Sequence, residues 1–160
     1  YSMYIITNFI NKYKTSLKMP EFRKILLDTN FLMIPGNFGV DIFEEIQRIC
    51  NFSYKLYIID KTIDELEKLP EKALKHKTTV KTAVKIALKL IEVMVKEGKL
   101  NIIPTKTNNE LKIRFGNMYV DNIIKELAND YIVATTDIEL KKHLRKMIIL
   151  RQKRYLKFIE

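Results

Sequence analysis

The chain has 160 residues, 29 Lys and Arg against 19 Asp and Glu for a formal charge of +10, 47% hydrophobic residues, one Cys, no Trp, and only four Gly and four Pro. A chain of that length and apolar content is expected to form one compact domain burying roughly 70% of its unfolded surface, which excludes disorder as the main state and any need for a disulfide or structural metal. Cys50 is alone and the only histidines are His76 and His143, so no zinc-type cluster exists; the composition fits a reducing cytoplasm, with neither a signal-peptide pattern nor an apolar run near the ~20 residues of a membrane span.

Residues 1–19 read as a leading amphipathic helix, with Met3, Ile6, Ile10, Tyr13 and Leu17 at helical spacing, ahead of a domain over residues 20–160. Lys24 to Asp28 is a short apolar run ending in an acid, the pattern of a buried strand. Pro35, Gly36 and Gly39 mark a loop, and Ile42, Phe43, Ile46, Ile49 and Cys50 predict a helix of about three turns. Tyr57 to Ile59 is a second strand, followed by a helix from near Thr62 to just before Pro70. A long helix is predicted from about Thr79 to Lys96, with Gly98 placed as its C-terminal cap. Leu100 to Ile103 is a third strand. Asn117 can cap a helix carrying Val120, Ile123, Ile124 and Leu127, before a fourth strand over Tyr131 to Ala134. Ile138 to about Lys146 is predicted helical, and Ile148 to Leu150 a fifth strand.

Short apolar strands alternating with helices predict an α/β fold: a doubly wound, mostly parallel sheet flanked by helices. Ligands of such sheets bind at the carboxyl ends of the strands, where strand order reverses. Four acids gather attention there. Asp28 ends the first strand and Asp137 follows the fourth. Glu65 is expected in the first turn of the helix after strand two, and Asp121 lies early in the helix before strand four, beside the apolar set. Carboxylates brought that close repel one another unless a cation neutralises them, and hard oxygen donors suit Mg²⁺ or Mn²⁺. Each acid also has a local reading: Thr62 with Glu65 is a capping box, Asp28 and Asp137 are turn or cap residues, and an acid on a helix such as Asp121 is commonly just solvated.

The basic residues form two blocks. One runs from Lys68 to Lys89 and includes Lys77, Lys81 and Lys85; the other runs from Lys141 to Ile159 without an acid and includes Arg151, Lys153 and Arg154. Like charges at i, i+4 on one helix repel, and a polyanion relieves that repulsion, so these six residues are the expected contacts to a nucleic-acid backbone.

The four acidic segments resemble the motifs of PIN-domain nucleases. Leu27-Asp28-Thr29-Asn30-Phe31-Leu32 is similar to that family's first motif, Asp64-Glu65-Leu66-Glu67-Lys68-Leu69 to its second, Val120-Asp121-Asn122-Ile123-Ile124 to its third, and Ala134-Thr135-Thr136-Asp137-Ile138-Glu139-Leu140 to its fourth. The resemblance spans about residues 20 to 155. It implies a metal-dependent endoribonuclease in which Asp28, Glu65, Asp121 and Asp137 bind Mg²⁺ or Mn²⁺, Asn30 orients a carboxylate and Thr135 supports the fourth acid. Asn122 stands where many relatives have a second Asp, and Thr136 replaces a common Asn, which leaves the number of metals open. The segment Pro35 to Phe43 and the tail Leu150 to Arg154 resemble an archaeal branch described both as VapC-like and as related to nucleases of ribosomal RNA maturation. That branch implies RNA as substrate, often a homodimer, and for a toxin-like member an antitoxin protein as partner. Two other enzymes are poor fits: a haloacid-dehalogenase-type phosphatase needs Asp-x-Asp where this chain has Asp28-Thr29-Asn30, and a response-regulator receiver needs an acid after strand three where Pro104 and Thr105 stand. The rival from a different class is an RNA-binding module whose acids do not cleave.

Overall fold

The computed structural model of the chain describes residues 21–160. The expected leading helix, residues 1–19, lies outside the described residues. Six strands form one sheet in the order β3-β2-β1-β4-β5-β6. They are β1 (Arg23–Leu27), β2 (Tyr54–Ile59), β3 (Leu100–Ile103), β4 (Ile132–Ala134), β5 (Met147–Arg151) and β6 (Tyr155–Ile159). All neighbours are parallel except β5 and β6, which pair as an antiparallel hairpin. The chain winds outward from β1 through β2 to β3, then returns to lay β4 on the other side of β1. Strand order therefore reverses between β1 and β4, and a crevice opens at their carboxyl ends.

Eight helices accompany the sheet among the described residues: α1 (Thr29–Leu32), α2 (Ile34–Phe38), α3 (Ile42–Ile49), α4 (Asp60–Lys72), α5 (Lys77–Lys96), α6 (Asn109–Phe115), α7 (Val120–Leu127) and α8 (Ile138–Lys141). Successive strand side chains point to opposite faces, so Ile25 and Leu27 of β1 enter one core and Leu26 enters the other. The first core packs α1 to α5 through residues such as Phe31, Ile46, Leu66 and Ala87. The second packs Phe115, the α7 stripe Val120, Ile123, Ile124 and Leu127, and Leu140. Each fully buried Leu or Ile contributes roughly 2 kcal/mol.

Two glycines shape these layers. Gly98, at φ 71°, ends α5: its N–H donates to the Val95 carbonyl and that of Lys99 to the Met94 carbonyl, the paired bonds of a Schellman cap. At Gly36, an added Cβ would stand 2.5 Å from the Ala83 Cα, so only two small residues let α2 lie this close on α5.

Several boundaries differ from expectation for identifiable reasons. α4 begins at Asp60 and runs through Pro70 to Lys72, so the proline sits in its last turn and does not end it at the preceding residue. Thr62 therefore sits inside the helix, its hydroxyl buried without a partner, and no capping box with Glu65 forms. Glu65 lies in the second turn, and Asp60 is the acid of the first. The expected loop at Pro35 is the short helix α2, with Pro at its start, where no N–H is needed, and Gly39 as its left-handed cap. Asn117 does not cap α7; Tyr119 precedes it, while Asn108 caps α6 by accepting from the Leu111 N–H. α8 stops at Lys141, and β6 was not anticipated.

Candidate active site

Asp28 is the first residue beyond β1. Its N–H donates to the Ala134 carbonyl at 2.9 Å, which locks it to β4 at the crevice. The side chain is 3% exposed. One carboxylate oxygen caps α1 by accepting from the Thr29 N–H at 2.8 Å; the other accepts from the Thr135 hydroxyl at 2.7 Å. Burial pushes the Asp28 carboxyl up to about 6, hydrogen bonds from Thr135 and Thr29 oppose this, and the negative charges of Asp121 and Glu65 push it further up. Those charge effects place Asp121 and Glu65 within electrostatic reach of Asp28. No cationic side chain among the described residues offsets them.

The other acids arrive from different layers. Glu65, half-buried on α4, accepts at 2.6 Å from the Thr29 hydroxyl, so adjacent residues hold two acids: the Asp28 side chain and, through Thr29, Glu65. Asp121 is exposed on the first turn of α7. Its helix is steadied from α4, where the Lys61 ammonium donates to the carbonyls of Phe115, Gly116 and Met118 at 3.0, 2.8 and 2.9 Å. Asp137 is the N-cap of α8, accepting from the Leu140 N–H at 2.9 Å, and its own N–H donates to the Thr135 hydroxyl at 3.0 Å. Thr135 thus ties the first acid to the fourth. Asn30 is exposed beside this cluster, and no hydrogen bond joins its side chain to a carboxylate among the described residues; Thr29 takes that part. Nor do any three His, Cys, Asp or Glu side chains among the described residues close into a ready-made metal shell. The donor set nevertheless suits a hard divalent cation: oxygen ligands only, mutually repelling, in a partly dry crevice.

The basic residues divide by position. β5 runs parallel to β4, so Arg151, at the end of β5, and Lys153 and Arg154, in the β5–β6 turn, sit at the same sheet edge as the acids. α5 runs back towards the opposite edge, so Lys77 begins it at the acidic end while Lys81 and Lys85 lie about 6 and 12 Å farther along. All six are exposed. Thr29 and Lys61 were missed by the sequence reading. Thr29 had a signal in its place between Asp28 and Asn30, whereas Lys61 had none, since its partners are backbone carbonyls more than fifty residues away.

The model of the family described as PIN like domain matches residues 25–153, from β1 to the β5–β6 turn. Ribonuclease VapC4 of Methanocaldococcus jannaschii is 31% identical over 136 residues, covering 82% of this chain and 93% of that protein. A solved structure of the PIN domain endonuclease Utp24 is similar in fold, with a TM-score of 0.57 at 21% identity over 84% of this chain and 90% of that one. The matched span takes in the reversal of strand order and every acid around it, and on that ground this chain belongs to the PIN-domain ribonuclease family.

Proposed function

We propose that this chain is a divalent-cation-dependent endoribonuclease of the VapC-like type, in which Asp28, Glu65, Asp121 and Asp137 hold Mg²⁺ or Mn²⁺. The observation that carries the reading is Asp28: a buried carboxylate, titrating near 6, facing two further carboxylates with no side-chain cation beside it. A bound divalent cation supplies the missing positive charge, acidifies water and stabilises charge on the phosphoryl oxygens. The chain's own residues do the positioning. Thr135 and the Thr29 N–H fix the Asp28 oxygens, the Thr29 hydroxyl aims Glu65, and Lys61 steadies the start of α7 and with it Asp121. In this reading Arg151, Lys153, Arg154 and Lys77, exposed at the acidic end, contact the RNA backbone, and Lys81 and Lys85 extend the track.

In-line attack of water on a phosphodiester in this setting yields 3′-hydroxyl and 5′-phosphate ends and requires no nucleophilic side chain. The VapC relative favours an antitoxin protein as partner and the family resemblance a homodimer; a role in ribosomal RNA maturation has only the Utp24 fold likeness behind it. No helix among the described residues is long and apolar enough to cross a membrane.

The test is cleavage of a mixed single-stranded and structured RNA pool by the purified protein in Mn²⁺, Mg²⁺ or EDTA, beside an Asp28→Asn variant. Cutting that needs the cation, leaves 5′-phosphates and disappears in the variant supports the reading. RNA binding without cutting in any metal, or 2′,3′-cyclic phosphate ends, overturns it.

A further inference from the structure

Beside the carboxylates lies a cleft of about 620 Å³ of which the reaction above uses only Lys153. Asn30 and Thr136 are among its lining residues, which sets it beside the Asp28 and Asp137 segments. Its apolar lining includes Met33 and Ile34, and two large apolar side chains at its edge stay open to water: Phe38 is 40% exposed and Ile138 71%. Three ammonium groups line the same cleft from three separate elements: Lys72 at the end of α4, Lys141 at the end of α8 and Lys153 in the β5–β6 turn. None of the three is in an ion pair among the described residues.

The Lys153 ammonium lies 5.7 Å from the centre of the Phe38 ring. Its turn is closed by the Arg154 N–H donating to the Arg151 carbonyl at 3.0 Å, with Gln152 at φ 50° and Lys153 at φ 54°. Two successive left-handed residues are ordinarily Asn or Gly, and other residues adopt that backbone only at a cost. The hairpin accepts that cost at the residue whose side chain reaches over the cleft.

An aromatic face, an apolar floor and three cations form a surface for a flat heteroaromatic ring carrying phosphates. Its volume lies in the range of sites that enclose a small molecule, enough for a nucleotide and far too small for a duplex. We propose that the cleft seats the unpaired nucleotide next to the scissile phosphate of a single-stranded RNA, its base against Phe38 and its phosphates on Lys72, Lys141 and Lys153. The words "next to the scissile phosphate" rest on the endoribonuclease reading; the binding itself does not. A consequence is that preference among unpaired sites is set by how well the base at this position stacks.

The experiment uses the wild-type protein in EDTA and single-stranded RNA oligonucleotides, each with 2-aminopurine at one position. Binding is expected to quench fluorescence through stacking. Phe38→Ala loses the quenching and Phe38→Tyr keeps it. Joint replacement of Lys72, Lys141 and Lys153 by Ala weakens binding about tenfold or more and lowers the salt slope by about 2. All four residues are at the surface or half-buried, and thermal melting checks that the variants fold. Quenching unchanged in Phe38→Ala, or affinity and salt slope unchanged in the lysine variant, overturns the proposal and leaves the cleft to a polypeptide partner. A protein that quenches as expected but cuts no RNA in Mn²⁺ or Mg²⁺ keeps the cleft and loses the nuclease; one that cuts without quenching keeps the nuclease and loses the cleft.

Discussion

Two polar networks sit at the carboxyl ends of the strands, and their charges are handled in opposite ways. Beyond β2 and β3, Asp60 accepts from the Thr105 hydroxyl and the Lys106 N–H, Asp64 pairs with the Lys106 ammonium at 2.5 Å, and Lys61 satisfies three carbonyls. Each negative or electron-rich group there meets a donor from the chain itself. Beyond β1 and β4, Asp28 and Glu65 meet hydroxyls and one N–H, Asp28 feels the charges of Glu65 and Asp121, and no lysine or arginine among the described residues offsets them. The first network is finished as built and works as a brace. The second is left negative in a place where negative charge is disfavoured, which is the arrangement of a site awaiting a positive partner.

The sharpest way to break that contrast is Asp28→Asn. Cleavage is expected to fall by more than ~100-fold, beyond the loss typical of groups that only support a metal ligand. Stability should move the other way. The folded carboxyl titrates near 6 against an ordinary 3.8, so its contribution is fully present below pH about 4 and is lost as pH rises through 6. Without a cation, Asp28→Asn therefore gains up to about 3 kcal/mol at pH 7 and little at pH 4. Urea unfolding in EDTA across that range measures it, and a difference independent of pH would contradict it.

Next in size is Lys61→Met, which removes three charge-assisted bonds and is expected to cost about 2 kcal/mol. Because α7 loses its anchor, the Mn²⁺ concentration for half-maximal cleavage should also rise, a change that simple loss of stability does not produce. Thr135→Val leaves the Asp137 N–H unpaired and costs about 1 to 2 kcal/mol. It also removes the largest influence lowering the Asp28 titration, so the acid limb of the pH–rate profile should shift to higher pH. The smallest effect is expected of Lys106→Met, in the brace: the Lys106 to Asp64 pair is about half exposed, so its loss costs less than ~1 kcal/mol and leaves cleavage unchanged. A large cleavage defect there would erase the distinction between the two networks.

Much of this was legible in the sequence, and what was not has specific causes. The parallel strands were visible as runs of apolar residues, and α5 and α7 as stripes, because both faces of the sheet are buried. β6 was hidden by the basic residues around it, although Leu156 and Phe158 point inward between the outward Tyr155 and Lys157. α6 was hidden because Phe115 is its only fully buried side chain. At the site, acids at strand ends were recognisable from the architecture. The partners that orient them were not, since Thr135 reaches Asp28 across 107 residues and Glu65 is reached from Thr29 across 36.

That separation of Thr135 from Asp28 also bears on synthesis. At roughly 5 to 20 residues per second, the ribosome completes the fourth strand some 5 to 20 s after the first, so the cluster remains apart for that interval. A nuclease built this way is thus unable to close its acidic crevice until the fourth strand has emerged, and the template and the machinery beside it face an incomplete cutter up to that point.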